Sequence, residues 1–537
     1  MNNRINARKG SALALLLVVV LGSGALRAAR PVTLATPPAE SVRAINQTEL
    51  RMHLEFLASS ELGGRYTLSP GINIAARYLA SRLASYGFRG AAGADGSFMQ
   101  RINLVATHPI PAKTTLALEF KGQKTSYSYG DFITSATMSG TATGSLVFVG
   151  YGISSAAQKY DDYRGLDVKN KIVVVAPGTP KGIDSSRLAD AEEEEGAARA
   201  HGAAGVLFLP ASYRAADMRK PDYKERIMNR DRVRLAAKSE AEIPMMTLTP
   251  NVADALLAPL GTTLDQLFKT TNAGGTLEAK PIDGTAQMTL ALEATDTASQ
   301  NVVGILEGTD PKLKNEYLAI SAHYDHLKTD TRGKIYPGAD DDGSGTAAVL
   351  NIARAFSLQR PARSVLVIFH TGEELGLLGS EYNADIAPVV PLDRIIANLN
   401  IDMIGRSRPA GDTDARNSEL SDANSIYLIG ADRISPELHR LSEQTNAEYE
   451  MLRIDYRYND PNHPDLYYFR SDHWNYAKHD IPIIFYFDGV HADYHQPTDT
   501  IEKIDFEKMT RVSRLVFETG WRIANLDHRL MKGSTKG

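Results

Sequence analysis

The chain has no cysteine among its 537 residues, which excludes disulfides, thiolate nucleophiles and sulfur-ligated zinc. Any metal it binds must therefore sit on imidazole and carboxylate groups. Clustered basic charge is also missing: 59 Lys and Arg stand against 64 Asp and Glu, with no basic block anywhere. Nucleic acid is not an expected partner, because phosphate binding requires a basic face. No apolar run reaches the roughly 20 residues of a membrane span. The longest, from Ala12 to Leu21, stops before Arg27. Preceded by Arg4, Arg8 and Lys9 and followed by Gly22, Ser23, Gly24 and Ala25, it reads as a signal peptide over residues 1–29. Cleavage is expected between Ala25 and Ala29, with export to the periplasm or the exterior and no stable membrane insertion afterwards.

What the chain does have is core-forming material: 43% hydrophobic against 23% charged residues rules out the composition of disorder and allows more than one large core. Helical periodicity runs over 49–59 and 72–86, the second with an apolar stripe of Ile74, Tyr78, Leu79, Leu83 and Tyr86 and a stop at Gly87. From about Pro111 the pattern changes to short β-like runs separated by Gly, Pro and Asp turns, which marks residues 111–290 as a separate inserted module. Residues 30–110 and 291–537 then form the two parts of the main domain. After Asn301, apolar runs at 302–307, 317–322, 364–369, 396–401 and 481–487 alternate with helical patterns. That alternation predicts an α/β fold, a mostly parallel central sheet with helices on both faces.

His and carboxylate residues collect just beyond these strands. His323 and Asp325 follow 317–322, Glu373 and Glu374 follow 364–369, and Asp402 follows 396–401. Sites in open α/β sheets form outside the carboxyl ends of strands, so these groups converge on one edge. Their mutual repulsion in an apolar setting is relieved by a bound dication. In the run HYDH (323–326), side-chain alternation puts His323 and Asp325 on one side, where Asp325 can orient the ligand imidazole. The same alternation turns His326 away as a structural residue. GADDDGSGTAA (338–348) has more acids than one helix cap requires. HTGEELGLLGS (370–380) offers adjacent glutamates pointing in different directions, one for metal and one for water. ADYHQPTDT (492–500) adds His495 after the last strand, and SDH stands at 471–473.

With NLNIDMIG (398–405), which puts Asp402 in apolar surroundings, these five motifs resemble the co-catalytic di-zinc family of aminopeptidases and glutamate carboxypeptidases. The likeness extends to LGGR at 62–65. In the insertion, GYG at 150–152, DDYRGLDVKNKIVVV at 161–175 and HGAAGVLFL at 201–209 resemble a protease-associated domain. The resemblance implies a zinc-exopeptidase-like fold and two Zn2+ ions per chain bridged by Asp341. One ion would take His323 and Asp402, the other Glu374 and His495. Glu373 would be the general base, and Tyr494 resembles the tyrosine that steadies the oxyanion, although Tyr456, Tyr458, Tyr467 and Tyr468 are also available. The implied activity is an aminopeptidase acting on peptides.

A carboxypeptidase or dipeptidase on the same scaffold is the main alternative and needs an arginine for the substrate carboxylate; Arg470, Arg457 and Arg453 are candidates. A receptor-like protein without catalysis is expected to have lost ligands, and none is missing. Oligomeric state is not legible in the sequence.

Overall fold

A computed structural model describes residues 34–533 apart from 94, 135, 137, 189, 222, 225–231, 238–242 and 331. The expected signal segment, 1–29, lies outside the described residues. Of the described helices, none is long and apolar enough to cross a membrane.

The main sheet is built from β1 (Met99–Pro109), β2 (Arg232–Leu235), β3 (Leu292–Leu306), β4 (Tyr317–His323), β5 (Ser364–His370), β6 (Ile395–Ile401), β7 (Ser425–Ile429), β8 (Arg453–Asp455) and β9 (Ile483–Phe487), with a short strand, Arg89–Gly90, paired to β3. Its order is β2-β1-β3-β5-β4-β6-β9-β7-β8. The four central strands, β5, β4, β6 and β9, run parallel and are buried at every position but Tyr317 at the start of β4, as strands covered on both faces must be. The flanks are antiparallel, β3 against β5 and β7 against β9, so the sheet is mixed.

The helices that matter to the site are α1 (Gln47–Leu57), α2 (Pro70–Ser85), α3 (Gly343–Leu358), α4 (Pro436–Glu448) and α5 (Phe506–Ala524). Helix α1 starts at Asn46, whose side chain accepts the Glu49 N–H, and α5 at Asp505, which accepts from Glu507 and Lys508; these caps satisfy amides that have no intrahelical partner. Helix α5 packs tightly on the sheet at Gly520, where an added Cβ would stand 3.0 Å from Leu318. In α2 the buried stripe is Ile72, Ala75, Ala76, Leu79 and Leu83, whereas Ile74 is exposed. The expected stripe is thus displaced, because two alanines let the helix lie close to its neighbours and so outrank the larger Ile74 at that face.

The insertion carries its own eight-stranded sheet, from Thr115–Phe120 to Lys280–Leu290, around a continuous apolar core. It is entered and left side by side: β1 and β3 pair antiparallel from Met99 opposite Val302 to Pro109 opposite Leu292. The module is not a clean excision of 111–290, since β2 returns from inside it to cover the outer edge of β1. An uncovered edge would expose a row of unpaired amides and carbonyls. The module also touches the main domain through Asp184, 2.7 Å from Arg433, and Ser185, whose hydroxyl donates to Asn462 at 2.9 Å.

Candidate metal centre

Strands β4, β5 and β6 end within hydrogen-bonding register of one another, which brings the residues that follow them together. His323 is the last residue of β4. Its Nδ1 lies 3.1 Å from the backbone carbonyl of Asp325, and a carbonyl only accepts, so Nδ1 carries the proton and Nε2 presents its lone pair. That lone pair faces Asp341 Oδ1 at 3.3 Å, Asp402 Oδ1 at 3.5 Å and Glu373 Oε2 at 3.9 Å. The orienting role expected of the Asp325 carboxylate is divided: it stands 3.7 Å from Nδ1, accepts the Glu373 N–H at 3.2 Å and is held by the Thr67 hydroxyl at 2.7 Å.

The three consecutive aspartates have three different tasks. Asp342 caps α3, accepting the Gly345 N–H at 2.9 Å and the Met403 N–H at 3.1 Å. Asp340 accepts the Gly405 N–H at 2.7 Å. Asp341, between them, sends one oxygen to His323 and the other to His495, whose Nε2 is 3.1 Å from Asp341 Oδ2 and 3.1 Å from Glu374 Oε2. The structure therefore brings His323, Asp341, Glu374, Asp402 and His495 into one constellation with Asp341 at its middle, and sets Glu373 beside it.

His326 does not face away. Its Nδ1 lies 2.7 Å from Glu374 Oε1 and 3.7 Å from Asp341 Oδ2. Side-chain alternation fails here because β4 ends at His323, and beyond a strand the period of two no longer holds.

Two groups of donor atoms are close enough to hold an ion, His323 with Asp341 and Asp402, and His326 with Asp341 and Glu374. Five buried donor atoms at these residues, His323 Nε2, His326 Nδ1, Asp341 Oδ2, Glu374 Oε1 and His495 Nε2, have no hydrogen-bond partner among the described residues. Buried polar atoms are nearly always paired, and orphans of both kinds aimed at one another are what cation ligands look like. Nitrogen and carboxylate oxygen without sulfur suit zinc.

The field in the site is strongly negative. Burial disfavours the His323 imidazolium, yet Glu373 and Asp402 outweigh it and hold the ring well above its ordinary value. His495 is pushed up to about 10 against the effect of burial, chiefly by Glu374 and Asp341. Glu374, although burial alone would raise it, is drawn down to about 2 by His495. Glu373 goes the other way: burial lifts it well above the carboxylate range, with Asp402 and Glu374 adding repulsion. Two adjacent glutamates are thus set apart, one a firm anion and the other a carboxyl that holds a proton more tightly.

A pocket opens beside Glu373, Asp341 and Asp402, walled by Met403, Tyr467, Phe485, Phe487 and Val490, with Tyr494 and Arg470 at its rim. Tyr494 stacks on the His495 ring, centroids 3.9 Å apart. The other tyrosines considered are occupied: Tyr467 donates to Glu419, Tyr456 to Glu443 at 3.3 Å, Tyr458 packs on Tyr427, and Tyr468 lies in the apolar core. Arg453 pairs with Asp422 and Arg457 with Asp455 at 2.6 Å, and neither lines this pocket, so Arg470 alone of the three arginines reaches it. In the SDH run, His473 is a core residue stacked on Phe485, while Asp472, pushed up to about 7 by burial, lies in the field of His323.

Three supporting residues lie inside the quoted motifs, which gave them no role. Arg65, buried and central to LGGR, donates to the carbonyls of Leu57, Tyr324, Pro337 and Gly338, clamping the segments before Asp325 and Asp341. Asp499 and Asp340 hold the backbone under the centre. Only LGGR and the spacing of Asp499 from His495 could have signalled them.

Fold and site together define an α/β scaffold carrying a metallohydrolase-type centre. Residues 301–520 match Peptidase family M28. Aminopeptidase YwaD of Bacillus subtilis (strain 168) is 29% identical over 234 residues, covering 43% of this chain and 46% of that protein. A probable zinc metalloprotease of Pyrenophora teres f. teres (strain 0-1) is 29% identical over 245 residues, covering 42% of this chain and 48% of its own length. The chain thus spans about half the length of these curated relatives. Among solved structures, an aminopeptidase from Aneurinibacillus sp. strain AM-1 is similar with a TM-score of 0.55 at 20% identity, over 92% of this chain and 98% of that one; this likeness is one of fold.

Proposed function

We propose that the chain is an exported di-zinc aminopeptidase that removes N-terminal residues from peptides. The observation that carries this reading is the set of orphaned donor atoms on both sides of the shared Asp341 carboxylate. His323, Asp341 and Asp402 would hold one zinc, and Asp341, Glu374 and His495 the other. When bound, two zinc ions bring a water towards ionisation near neutral pH and polarise a carbonyl. Glu373, beside the centre with its carboxylate 3.9 Å from His323 Nε2, would accept the water's proton and pass it to the leaving amine. Tyr494, next to His495 on the pocket rim, donates its hydroxyl hydrogen to the developing oxyanion. The apolar wall of Phe485, Phe487, Val490 and Met403 suits a large apolar N-terminal side chain. The inserted module would be a protease-associated domain that limits substrate size, and the basic-apolar leader supports export.

Arg470 favours a second reading, a carboxypeptidase or dipeptidase. It stacks on Tyr467 at 4.6 Å and donates to the Asp465 carbonyl at 3.3 Å; among the described residues no carboxylate pairs with it, so it could take a substrate's. The experiment measures zinc per chain with and without chelator, and compares an amino-acid anilide with an N-blocked peptide bearing a free carboxylate. Cleavage of the anilide alone supports the aminopeptidase; cleavage of the blocked peptide alone overturns it.

A further inference from the structure

Resting on the di-zinc reading, we propose that His326 is a fourth ligand of the ion held by Asp341, Glu374 and His495. The two sites are then unequal, with three protein donors around one ion and four around the other.

His326 is fully buried, with its ring packed against Gly338, where an added Cβ would come within 2.6 Å of the imidazole. Its backbone N–H donates to the Arg65 carbonyl at 3.3 Å, so the residue that clamps the neighbouring loops also holds the backbone of His326. Neither ring nitrogen has a hydrogen-bond partner among the described residues, and neither does Glu374 Oε1, although Nδ1 and Oε1 are only 2.7 Å apart. An imidazole nitrogen and a carboxylate oxygen this close, yet outside hydrogen-bond geometry, are placed as two ligands of one ion are. Zinc bonds of about 2.0–2.1 Å place neighbouring ligand atoms roughly 3 Å from one another. The spacings here, 2.7 Å from His326 to Glu374 and 3.1 Å from His495 to both Glu374 and Asp341, are of that size. The ring of His495 meets that of His326 edge to face, centroids 5.7 Å apart, so both imidazoles can address one ion without clashing.

The consequence is a division of labour. Zinc sites closed by four protein ligands are structural in character, while three ligands leave a position for water or substrate. Four donors on the His326 side leave the open position on the His323 side, which is the side Glu373 faces.

The test uses the full chain as wild type, His326→Ala and His326→Gln, each dialysed against graded chelator and assayed for zinc, with the melting temperature of the metal-free proteins as a check on folding. The ligand assignment expects wild type to retain two zinc ions, and both variants to release one of them at chelator strengths on the order of a hundredfold lower or less. Cobalt in place of zinc should show changed d–d absorption in both variants. Glutamine can donate a hydrogen bond to Glu374 but is a poor zinc ligand. Restoration of wild-type retention by His326→Gln would therefore make His326 a positioning residue and overturn the proposal, as would two firmly held ions in His326→Ala. A wild-type protein that binds fewer than two ions overturns the di-zinc reading itself, visibly and before any variant is compared. If His326→Ala fails to fold, His326→Gln and the cobalt spectrum decide.

Discussion

Asp499 lies beneath the backbone of Asp341 and accepts its N–H at 3.2 Å, through the same carboxylate oxygen that takes the Asp340 N–H at 3.0 Å. Because Asp499 follows His495 by four residues, one carboxylate ties the loop of Asp341 to the turn of His495. Asp499→Ala should weaken zinc retention about 10- to 100-fold, and Asp499→Asn, which keeps an acceptor oxygen, should lose less. Zinc per chain after chelator dialysis measures it; retention equal to wild type in the alanine variant would contradict the anchoring role.

Glu373→Gln keeps the size of the side chain and removes the proton acceptor. We expect kcat to fall on the order of a hundredfold or more with zinc content unchanged, because Glu373 stands 3.9 Å from His323 Nε2 and outside the pairings of Glu374. Near-normal turnover would remove Glu373 from the mechanism.

Asp341→Ala should behave differently, since one carboxylate serves both sides of the centre. Zinc should fall from two ions per chain to less than one, and activity with it. Chelation of the wild type should likewise abolish turnover, restored by added zinc. An active, fully metallated Asp341→Ala protein would sink the shared-carboxylate assignment.

Tyr494→Phe retains the ring that stacks on His495 and deletes one hydroxyl. A donor that acts on the developing oxyanion is worth ~100-fold in kcat with little change in KM. Equal loss in KM with kcat intact would instead assign Tyr494 to substrate binding.

Stability should depend on pH through Glu518, buried on α5 with Oε2 lacking a hydrogen-bond partner among the described residues. Burial, with Glu450 adding repulsion, pushes its carboxyl from about 4.5 up to about 8. The folded state therefore binds a proton that the unfolded chain releases near pH 4.5, and stability falls as pH rises between these two values, then levels off. Glu518→Gln should melt a few degrees higher than wild type at pH 8.5, with the difference shrinking towards pH 4. An unchanged gap between the two pH values would show that Glu518 does not titrate as proposed.

The apolar runs ending at His323, His370 and Ile401 were readable because strands buried on both faces must be almost wholly apolar, and the charged residues after them stand out against that background. Less legible were the short strands β7 and β8 and the return of β2 to the main sheet, because three to five residues carry too little periodicity to declare a partner. The position of Ile74 was misread for a related reason: hydrophobic size marks a stripe, but close packing selects the alanines.

By itself, the sequence determined the chemistry available: no sulfur, so imidazole and carboxylate ligands, placed after strands whose apolar character forces them into one parallel layer. Tertiary structure alone decided how these groups are shared out. It made Asp342 a cap, Asp340 a backbone acceptor and Asp341 the carboxylate shared between His323 and His495, and it turned His326 inward where the strand had ended. Pattern along a chain fixes residue type and period, whereas the direction of a side chain in a loop depends on contacts from segments hundreds of residues away, such as the Arg65 clamp at Gly338 and the Asp499 carboxylate under Asp341.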